Sequence, residues 1–402
     1  MSPAPPTSRC GIDTVEISRI EKLLADFAPG ELRNFFSEQE LQDAGTGAGR
    51  VQSLAARFAA KEACCKLFPK ETALGTVEPA DFSVQRDGYG APQIVASAKA
   101  QAVIDRHRIA AIRISLTHTE TSAAAVAMAE LKQIDVPWFG KFVFHVLPLR
   151  RRVVMENLRR VFGDVLPKEE IVRLAQAYYA HFIRFLIEVV RFPFMSAARR
   201  KRWIRVENME SPVRANANGK GILILTGHFG NWEAATVAGI GQFAEYHGKF
   251  HFVRRLLKPA LLNAFVTWRF TRAGFGTIAK RGSLDTILEL LSQGAAIVFV
   301  FDQHASGRES VVVDFFGQPA GTFKSLAIIA QATGVPVIPA SSWREPDGTH
   351  VLRFEEPLPS IENENTSEAI RQNTRAYNAA LERMLLRHPE QWIWMHKRWK
   401  PQ

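Results

Sequence analysis

The sequence contains little cysteine and no apolar run long enough to cross a bilayer. Its three cysteines stand at positions 10, 64 and 65; they form no CxxC pair and two neighbours do not readily bridge each other, so we expect neither a disulfide framework nor a zinc site. The stretches 138–149 and 182–195 are interrupted by charged residues or proline and stay below the ~18–20 residues of a membrane span. The first residues lack the basic and apolar regions of a signal peptide. We expect a cytoplasmic protein whose membrane contact is peripheral.

Nucleic-acid-binding motifs are also absent, although the chain is basic. The formal net charge is +11, but no zinc-finger spacing, ribonucleoprotein motif or basic heptad helix accompanies it, so we predict no nucleic-acid partner. Residues 1–130 hold 14 Lys and Arg against 16 Asp and Glu, which leaves the basic excess to the later part. There, cations accompany aromatic residues at 192–203 and 392–400, a mixture that suits an anionic membrane surface. The alternative is a solvated basic face beside core aromatics.

Length and composition indicate more than one globular domain. The 402 residues exceed one ordinary domain, and a hydrophobic content of 47% is enough for well-filled cores. The segment Gln133-Ile-Asp-Val-Pro137 has the character of a linker. We therefore predict one domain at residues 9–130 and a second at residues 135–402.

The first domain concentrates charge on one predicted helix. Arg57 and Lys61 are four residues apart, as are Glu62 and Lys66, so neighbouring helix surface carries three cations around one carboxylate. A solvated charged face is the ordinary explanation. Asp13, however, stands on an otherwise apolar, strand-like segment, and a buried aspartate needs a partner or a metal ion.

Five motifs occur in order along this domain. They are Gly11-Ile-Asp13-x-Val-Glu16-Ile17-x-Arg19-Ile20, Phe36-Ser-x-x-Glu40, Arg57-Phe-Ala-Ala-Lys61-Glu62-Ala, Asp87-Gly88-x-Gly90-x-Pro92 and Ser115-Leu-Thr-His118. Together they resemble the phosphopantetheinyl transferases of the holo-acyl-carrier-protein synthase type, over essentially the whole segment. The resemblance implies an α+β domain, commonly assembled as a homotrimer with its site between subunits.

The same resemblance implies roles for the charged residues. Asp13 and Glu62 would bind Mg²⁺ together with the pyrophosphate of coenzyme A, the serine of acyl carrier protein would attack the β-phosphorus, and 3′,5′-ADP would leave. Carboxylate and phosphate oxygens are the ligands that Mg²⁺ prefers, so the residue types suit this work. The residues that would hold the phosphates or otherwise contact coenzyme A are Arg57, Lys61, Lys66 and His118.

In the second domain, strand-like runs alternate with amphipathic stretches after a helical region that extends to about residue 203. The strand-like runs are 222–226, 250–254, 276–279, 295–302, 335–341 and 350–354. Such alternation predicts an α/β fold with a largely parallel sheet. Reactive side chains follow several of these runs, and ligands of open α/β sheets bind at the carboxyl ends of strands, so we expect one shared crevice.

The segment His228-Phe-Gly-Asn-Trp-Glu233 predicts a catalytic dyad at the end of the first of these strands. On a continuous helix the two side chains would lie roughly 140° apart, so they meet only if the backbone turns, as Gly230-Asn231 permits. His228 would then take a proton from an attacking hydroxyl while Glu233 holds the other ring N–H. The alternative is a histidine that merely ends a buried strand.

Six motifs, of which this dyad is one, occur in order along the second domain. They are Arg152-x4-Asn157-Leu158-x3-Phe162, His228-x4-Glu233, Asp302-Gln303, Phe315-Phe-Gly317-x-Pro-Ala320, Ala330-x3-Gly334-x-Pro336-Val-Ile-Pro339 and Pro389-Glu-Gln-Trp392-x-Trp394. The set resembles the lipid A late acyltransferases, members of the lysophospholipid acyltransferase-like group. It covers nearly the whole second domain.

This second resemblance implies transfer of an acyl chain from acyl carrier protein to a hydroxyl of a lipid acceptor, such as a lipid A precursor. His228 would be the base and Glu233 its orienting group. The residues that would position phosphate or sugar groups of the acceptor are Arg281, Asp302 and Arg308. Members of that family usually begin with a transmembrane helix, whereas this chain has only the short apolar segment 138–149. We therefore expect peripheral association with the inner membrane.

The two resemblances together predict a bifunctional transferase. The first activity would install the thiol arm on acyl carrier protein, and the second would use that arm when it carries a fatty acyl group. Both halves would then recognise the same acidic partner, which a basic groove attracts. The alternative is an acyltransferase whose first domain is a non-catalytic docking module for the carrier.

Overall fold

The computed structural model describes two compact units, drawn from residues 1–135 with 162–170 and from residues 136–161 with 171–402. The described residues are 8–69, 76–147, 149–241, 243, 246–254, 260–279 and 282–400. At positions 193, 197, 233, 262, 265, 266 and 269 the description covers the backbone and not the side chain.

The first unit contains an antiparallel sheet packed against a long helix. Its elements are β1 (Ser8–Glu16), α1 (Ile17–Asp26), α2 (Glu38–Asp43), α3 (Arg50–Cys65), β2 (Phe82–Arg86), β3 (Pro92–Ala96), α4 (Ala98–Arg106), β4 (Ile109–His118) and β5 (Ser122–Leu131). The strand order is β1-β5-β4-β3-β2, and every pairing within it is antiparallel. Leu54, Phe58 and the alanines between them bury one side of α3 in the core, as their helical spacing predicts.

A close approach between β1 and α3 positions the predicted metal ligands of this unit. A Cβ atom on Gly11 would lie 2.1 Å from the carbonyl oxygen of Ala63, so only glycine lets the strand lie directly on the helix. Asp13 therefore follows this contact on β1, and Glu62 precedes it on α3. The predicted strand at residues 11–17 and helix at residues 54–66 are both present, with slightly earlier starts.

The second unit begins with helices and continues as an alternation of strands and helices. Its elements are α5 (Trp138–Val146), α6 (Arg151–Phe162), α7 (Lys168–Arg191), α8 (Ala197–Trp203), β6 (Ile204–Glu207), α9 (Glu210–Ala215), β7 (Ile222–Thr226), α10 (Trp232–Ile240), β8 (Phe250–Arg254), α11 (Ala260–Arg272), β9 (Gly276–Ala279), α12 (Leu284–Ser292), β10 (Ala296–Val300), β11 (Ser310–Phe315), β12 (Gln318–Phe323), α13 (Ser325–Thr333), β13 (Val337–Arg344), β14 (His350–Phe354) and α14 (Thr366–Arg387).

The main sheet of this unit is mixed, with strand order β6-β14-β13-β7-β10-β8-β9. The strands β13 and β14 pair antiparallel, whereas the other neighbours in the sheet pair in parallel. The predicted largely parallel sheet is thus confirmed in part. The central strand β7 is buried along most of its length, which agrees with its continuous apolar sequence.

Within the described parts of the chain, no helix is both long enough and apolar enough to cross a membrane.

Candidate active sites

Strand register brings two side chains of the second unit together. The parallel strands β7 and β10 pair Thr226 with Val300. Two residues after these positions stand two reactive side chains, His228 after β7 and Asp302 after β10. The Nδ1 atom of His228 lies 2.9 Å from Oδ1 of Asp302, and the backbone N–H of His228 donates to Oδ2 at 2.7 Å. The crevice expected at the carboxyl ends of the strands therefore contains a histidine–carboxylate pair.

Glycines on either side of His228 give it this position. A Cβ atom on Gly227 would stand 2.9 Å from Oδ2 of Asp302. Gly230 has a positive φ of 56°, and a Cβ atom there would lie 2.6 Å from the carbonyl oxygen of Ser342. Both positions exclude a side chain, so the backbone turns sharply between the strand and α10.

Asp302 is buried but ionised. Its side chain is 1% exposed, and it also accepts a hydrogen bond from Nε1 of Trp392 at 2.8 Å. Burial alone would raise the pKa of this carboxyl, but the adjacent His228 and the three donated hydrogen bonds lower it, to about 2. Because an ionised carboxylate only accepts, Nδ1 of His228 carries the ring hydrogen, and Nε2 is left as a proton acceptor.

The C-terminal tail, residues 389–400, lies against one side of this site. Ile393 donates its backbone N–H to the carbonyl oxygen of His228 at 3.3 Å, and the His396 ring lies 5.1 Å from the His228 ring, centroid to centroid. Asn157 fixes the tail, because its Nδ2 donates to the carbonyl oxygens of Trp394 and His396 at 2.8 Å each. The motifs around Asn157 and Trp392 thus meet in space.

A second carboxylate, the half-buried Glu188, supports the turn after His228. Asn231 caps α10 by accepting from the N–H of Ala234, and its Nδ2 donates to Glu188 at 3.0 Å. Arg344 donates to both oxygens of Glu188, at 2.7 and 3.0 Å. Burial would raise the pKa of Glu188, but hydrogen bonds from His350 and Arg344 lower it, to about 2.

An apolar pocket lies beside this turn. It is shallow and partly open to solvent. Its lining residues are Tyr178, His181, Phe182, Phe185, Trp232, Gln391, Trp392 and Ile393. Trp232 stacks on Phe185 at 4.4 Å and meets the His228 ring edge-on at 4.9 Å, so the pocket adjoins the histidine.

The other residues predicted for this site are described to different extents. Glu233 is in the first turn of α10, but its side chain lies outside the described residues, as does the whole of Arg281. Asp302, predicted to position the acceptor, is bonded to His228 instead. Arg308 is exposed on the turn Gly307–Glu309.

In the first unit, Asp13 lies beside Lys66 at the carboxyl end of α3. The Nζ atom of Lys66 is 2.7 Å from Oδ1 of Asp13 and donates to the carbonyl oxygen of Ile12. The Asp13 side chain is 17% exposed, and that of Lys66 is 51% exposed. Glu62 is half-buried on the adjacent turn of the helix, and His118 is exposed at the end of β4.

The two other cations predicted to contact coenzyme A are buried among protein groups. Lys61 is 1% exposed in its side chain and lies 2.6 Å from Glu40, which completes the capping box of α2 with Ser37. Lys61 also donates to the carbonyl oxygen of Phe35. Arg57 bonds to Ser53 and lies 3.7 Å from Asp43. These contacts anchor α3 to α2.

Within the described residues, no group of three or more His, Cys, Asp or Glu side chains converges. Two carboxylates, Asp13 on β1 and Glu62 on α3, stand on elements that approach each other closely at Gly11 and Ala63. Hard oxygen donors of this kind fit Mg²⁺, which is commonly bound by one or two carboxylates together with phosphate oxygens.

Comparison with known proteins identifies a family for each part of the chain. The model of the bacterial lipid A biosynthesis acyltransferases matches residues 136–401, and that of the 4′-phosphopantetheinyl transferase superfamily matches residues 9–127. The holo-[acyl-carrier-protein] synthase of Treponema denticola is 40% identical over 121 residues, which cover 30% of this chain and 95% of that protein. The chain belongs to both families. Both are transferase families, so the chain unites a phosphopantetheinyl transferase unit with an acyltransferase unit.

Relatives of the acyltransferase unit differ in their named acceptors. The lipid A biosynthesis lauroyltransferase of Escherichia coli K12 is 24% identical over 265 residues, 65% of this chain and 82% of that protein. The phosphatidylinositol mannoside acyltransferase of Mycolicibacterium smegmatis is 29% identical over 208 residues, 48% of this chain and 64% of that protein. The fusion predicted from the sequence is confirmed at the level of family.

Sequence reasoning missed three groups of the acyltransferase site. Asp302 as the partner of His228, Trp392 as a donor to Asp302, and His396 beside the ring all come from segments distant in sequence. The signal for the first was present, because His228 and Asp302 both stand at the carboxyl ends of strand-like runs, 222–226 and 295–302. No sequence signal pointed to His396.

Proposed function

We propose that the chain is a bifunctional transferase that attaches phosphopantetheine to acyl carrier protein and transfers an acyl group from acyl carrier protein to a hydroxyl of a glycolipid acceptor, such as a lipid A precursor. The observation that carries the second activity is the hydrogen bond between Nδ1 of His228 and the ionised Asp302. It leaves Nε2 as a base at the edge of a crevice.

In the proposed acyl transfer, Nε2 of His228 takes the proton of the acceptor hydroxyl. The acceptor oxygen then bonds to the thioester carbonyl carbon, the carbon–sulfur bond breaks, and the sulfur of the carrier's arm takes the proton back from Nε2. Asp302 stays ionised throughout and stabilises the imidazolium. The pocket lined by Phe182, Phe185 and Trp232 offers an apolar surface for the acyl chain next to this base.

Other residues of the acyltransferase unit are proposed to act around this base. The orienting role predicted for Glu233 is assigned to Asp302, since Asp302 bonds to the ring. Glu233 stays a proposed contributor from the first turn of α10. Arg281 and Arg308 are proposed to bind phosphate or sugar groups of the acceptor, and the exposure of Arg308 leaves it accessible.

For phosphopantetheine transfer, we assign Asp13 and Glu62 as the residues that hold Mg²⁺ and coenzyme A as the donor substrate. The bound ion would neutralise negative charge on the pyrophosphate. Lys66 is exposed beside Asp13 and can exchange that carboxylate for a phosphate, and His118 is exposed for contact with coenzyme A. Exposed apolar side chains on the sheet, such as Ile12 and Met128 at 59% and 49%, support a homotrimer through this unit.

The lipid acceptor implies work at a membrane surface, and we propose peripheral association with the cytoplasmic face of the inner membrane. The basic excess of the second part of the chain supports this assignment.

Two single substitutions in the full chain test the assignment. His228→Ala is expected to abolish acyl transfer and leave phosphopantetheine transfer at the wild-type rate, and Asp13→Ala is expected to do the reverse. Acyl transfer is measured with acyl-loaded acyl carrier protein as the donor and a detergent-dispersed lipid A precursor as the acceptor. Phosphopantetheine transfer is measured by the gain in mass of the apo carrier protein. If neither substitution affects its assigned reaction, the site assignment is wrong.

The competing proposal is that the first unit only docks the carrier. Incubating the His228→Ala protein with Mg²⁺, coenzyme A and apo acyl carrier protein separates the two. A carrier that gains the mass of phosphopantetheine shows catalysis, whereas an unmodified carrier favours docking. The exposed Asp13–Lys66 pair favours catalysis, because a docking module has no need of a carboxylate held beside an open cation.

A further inference from the structure

One face of α5 is apolar and exposed, although the other face is tightly packed. Trp138, Phe142 and Val146 recur every four residues and are 78%, 59% and 61% exposed, so they form a stripe along the helix. On the opposite side, a Cβ atom on Gly140 would lie 2.8 Å from Cβ of Ala180, and Phe144 is buried. The helix is therefore fixed to α7 by one side and presents aromatic side chains on the other.

The end of α7 continues this apolar surface. Ile187 and Val190 are 50% and 67% exposed, and Phe194, just after the helix, is 87% exposed. The guanidinium of Arg184 on α7 lies 5.1 Å from the centre of the Phe139 ring on α5, so this part of α7 adjoins the start of α5. We call the exposed side chains of Trp138, Phe142, Val146, Ile187, Val190 and Phe194 the docking face. Monomeric proteins rarely expose this much contiguous apolar surface without a partner.

The two segments that carry the docking face are rich in cations. Segments 138–149 and 182–203 contain the cations Lys141, Arg184, Arg191, Arg199, Arg200, Lys201 and Arg202. Their carboxylate, Glu188, is paired with Arg344. An exposed stripe of Trp, Phe and aliphatic residues in a cation-rich segment is typical of helices that lie in the interface of an anionic bilayer.

We propose that the docking face seats the acyltransferase unit on a bilayer that contains anionic lipids. The proposal rests on the proposed function, in which the acceptor is a lipid, and it specifies how that acceptor is reached. The helix α7 carries both Ile187 and Phe185, and Phe185 stacks on Trp232, which contacts His228. One helix thus joins the docking face to the pocket beside the base.

Vesicle co-sedimentation of the full chain tests this surface. Wild-type protein is expected to pellet with vesicles of three parts phosphatidylethanolamine to one part phosphatidylglycerol, and only weakly with pure phosphatidylcholine. Trp138→Ser/Phe142→Ser is expected to weaken binding to the anionic vesicles about tenfold or more, because two large apolar side chains no longer insert. The matched control is Leu261→Ser/Trp268→Ser, which removes two exposed apolar side chains of α11, 84% and 53% exposed, and is expected to bind as the wild type does.

Circular dichroism of both double variants confirms that they fold. The proposal is overturned if the two double variants bind vesicles equally well, or if Trp138→Ser/Phe142→Ser keeps vesicle binding but loses affinity for soluble acyl carrier protein. The assay contains neither coenzyme A nor acyl donor, so it is independent of catalysis. A wild-type protein that binds vesicles through this face but acylates no lipid contradicts the proposed function and supports the docking face.

Discussion

The carboxylates of the two sites, Asp302 and Asp13, differ in their exposure and in the number of protein groups that bind them. Asp302 of the acyltransferase unit is 1% exposed in its side chain and accepts three hydrogen bonds. Asp13 of the phosphopantetheinyl transferase unit is 17% exposed and pairs with a lysine that is itself 51% exposed. The first carboxylate is fully engaged by the fold, and the second keeps capacity for a ligand.

This difference follows from the chemistry proposed for each site. A histidine base must be held in one tautomer and one orientation, and a dry carboxylate fixed by strand register does this before substrate arrives. A site for a metal ion and a pyrophosphate must instead leave carboxylate oxygens accessible, since part of the coordination comes with the ligand. Substitutions that remove one partner at each site should therefore differ in their effects on catalytic rate and on stability.

The largest effect is expected at Asp302. Asp302→Asn keeps the shape of the side chain but removes the charge that fixes the Nδ1–H tautomer, so kcat for acyl transfer should fall by about 10²–10⁴ with little change in KM. The measurement is steady-state acyl transfer to a detergent-dispersed lipid acceptor. Glu233→Gln is the comparison, and we expect a smaller loss. A larger loss for Glu233→Gln would return the orienting role to Glu233.

The next largest effect is expected on the free energy of unfolding of the first unit. Lys61→Met leaves Glu40 buried without its cation, which should cost about 3–5 kcal/mol, whereas Lys66→Met breaks a half-exposed pair and should cost less than about 1 kcal/mol. Hydrogen exchange followed by mass spectrometry at residues 37–66 measures both. Exchange should be accelerated strongly only in Lys61→Met. Equal protection in the two variants would mean that the Lys61–Glu40 pair does not stabilise α2 against α3.

Local patterns in the sequence predicted the strands of the acyltransferase unit well. The runs 222–226, 250–254, 276–279 and 350–354 are strands with those same limits, because each is a short apolar segment bounded by turn or polar residues. The pattern missed the hairpin of β11 and β12. The strand β12 includes Pro319 and Gly321, which have low strand propensity.

Long-range contacts could not be derived in the same way. The histidine and its carboxylate are 74 residues apart, and the indole of Trp392 is a further 90 residues along the chain. Sequence spacing suggested Glu233 as the partner because it is near in the chain, but parallel pairing of β7 with β10 brings Asp302 to the ring. Lys61 was likewise predicted to hold phosphate, since nothing local reveals that Glu40 is buried beside it.

The buried carboxylate should also make stability depend on pH. The pKa of Asp302 is lowered from its ordinary value of 3.8 to about 2, so its contribution to stability is complete above about pH 4 and is lost as pH falls toward 2. It amounts to about 2 kcal/mol. The stability difference between wild type and Asp302→Asn, measured by denaturant unfolding, should therefore shrink between pH 4 and pH 2. A difference that stays constant over this range would show that the carboxylate titrates as in an unfolded chain.

The smallest expected effect separates hydrogen bonding from packing in the tail. Trp392→Phe removes the donor to Oδ2 of Asp302 but leaves the two bonds from His228, so acyl transfer should slow about tenfold through a less firmly held carboxylate. Trp394→Phe is the matched control, because it removes an indole donor that bonds to the carbonyl oxygen of Pro389 and not to Asp302. Equal losses in kcat for the two variants would mean that the tail acts only by packing. A loss confined to Trp392→Phe would show that the acyltransferase site extends along the tail to this indole.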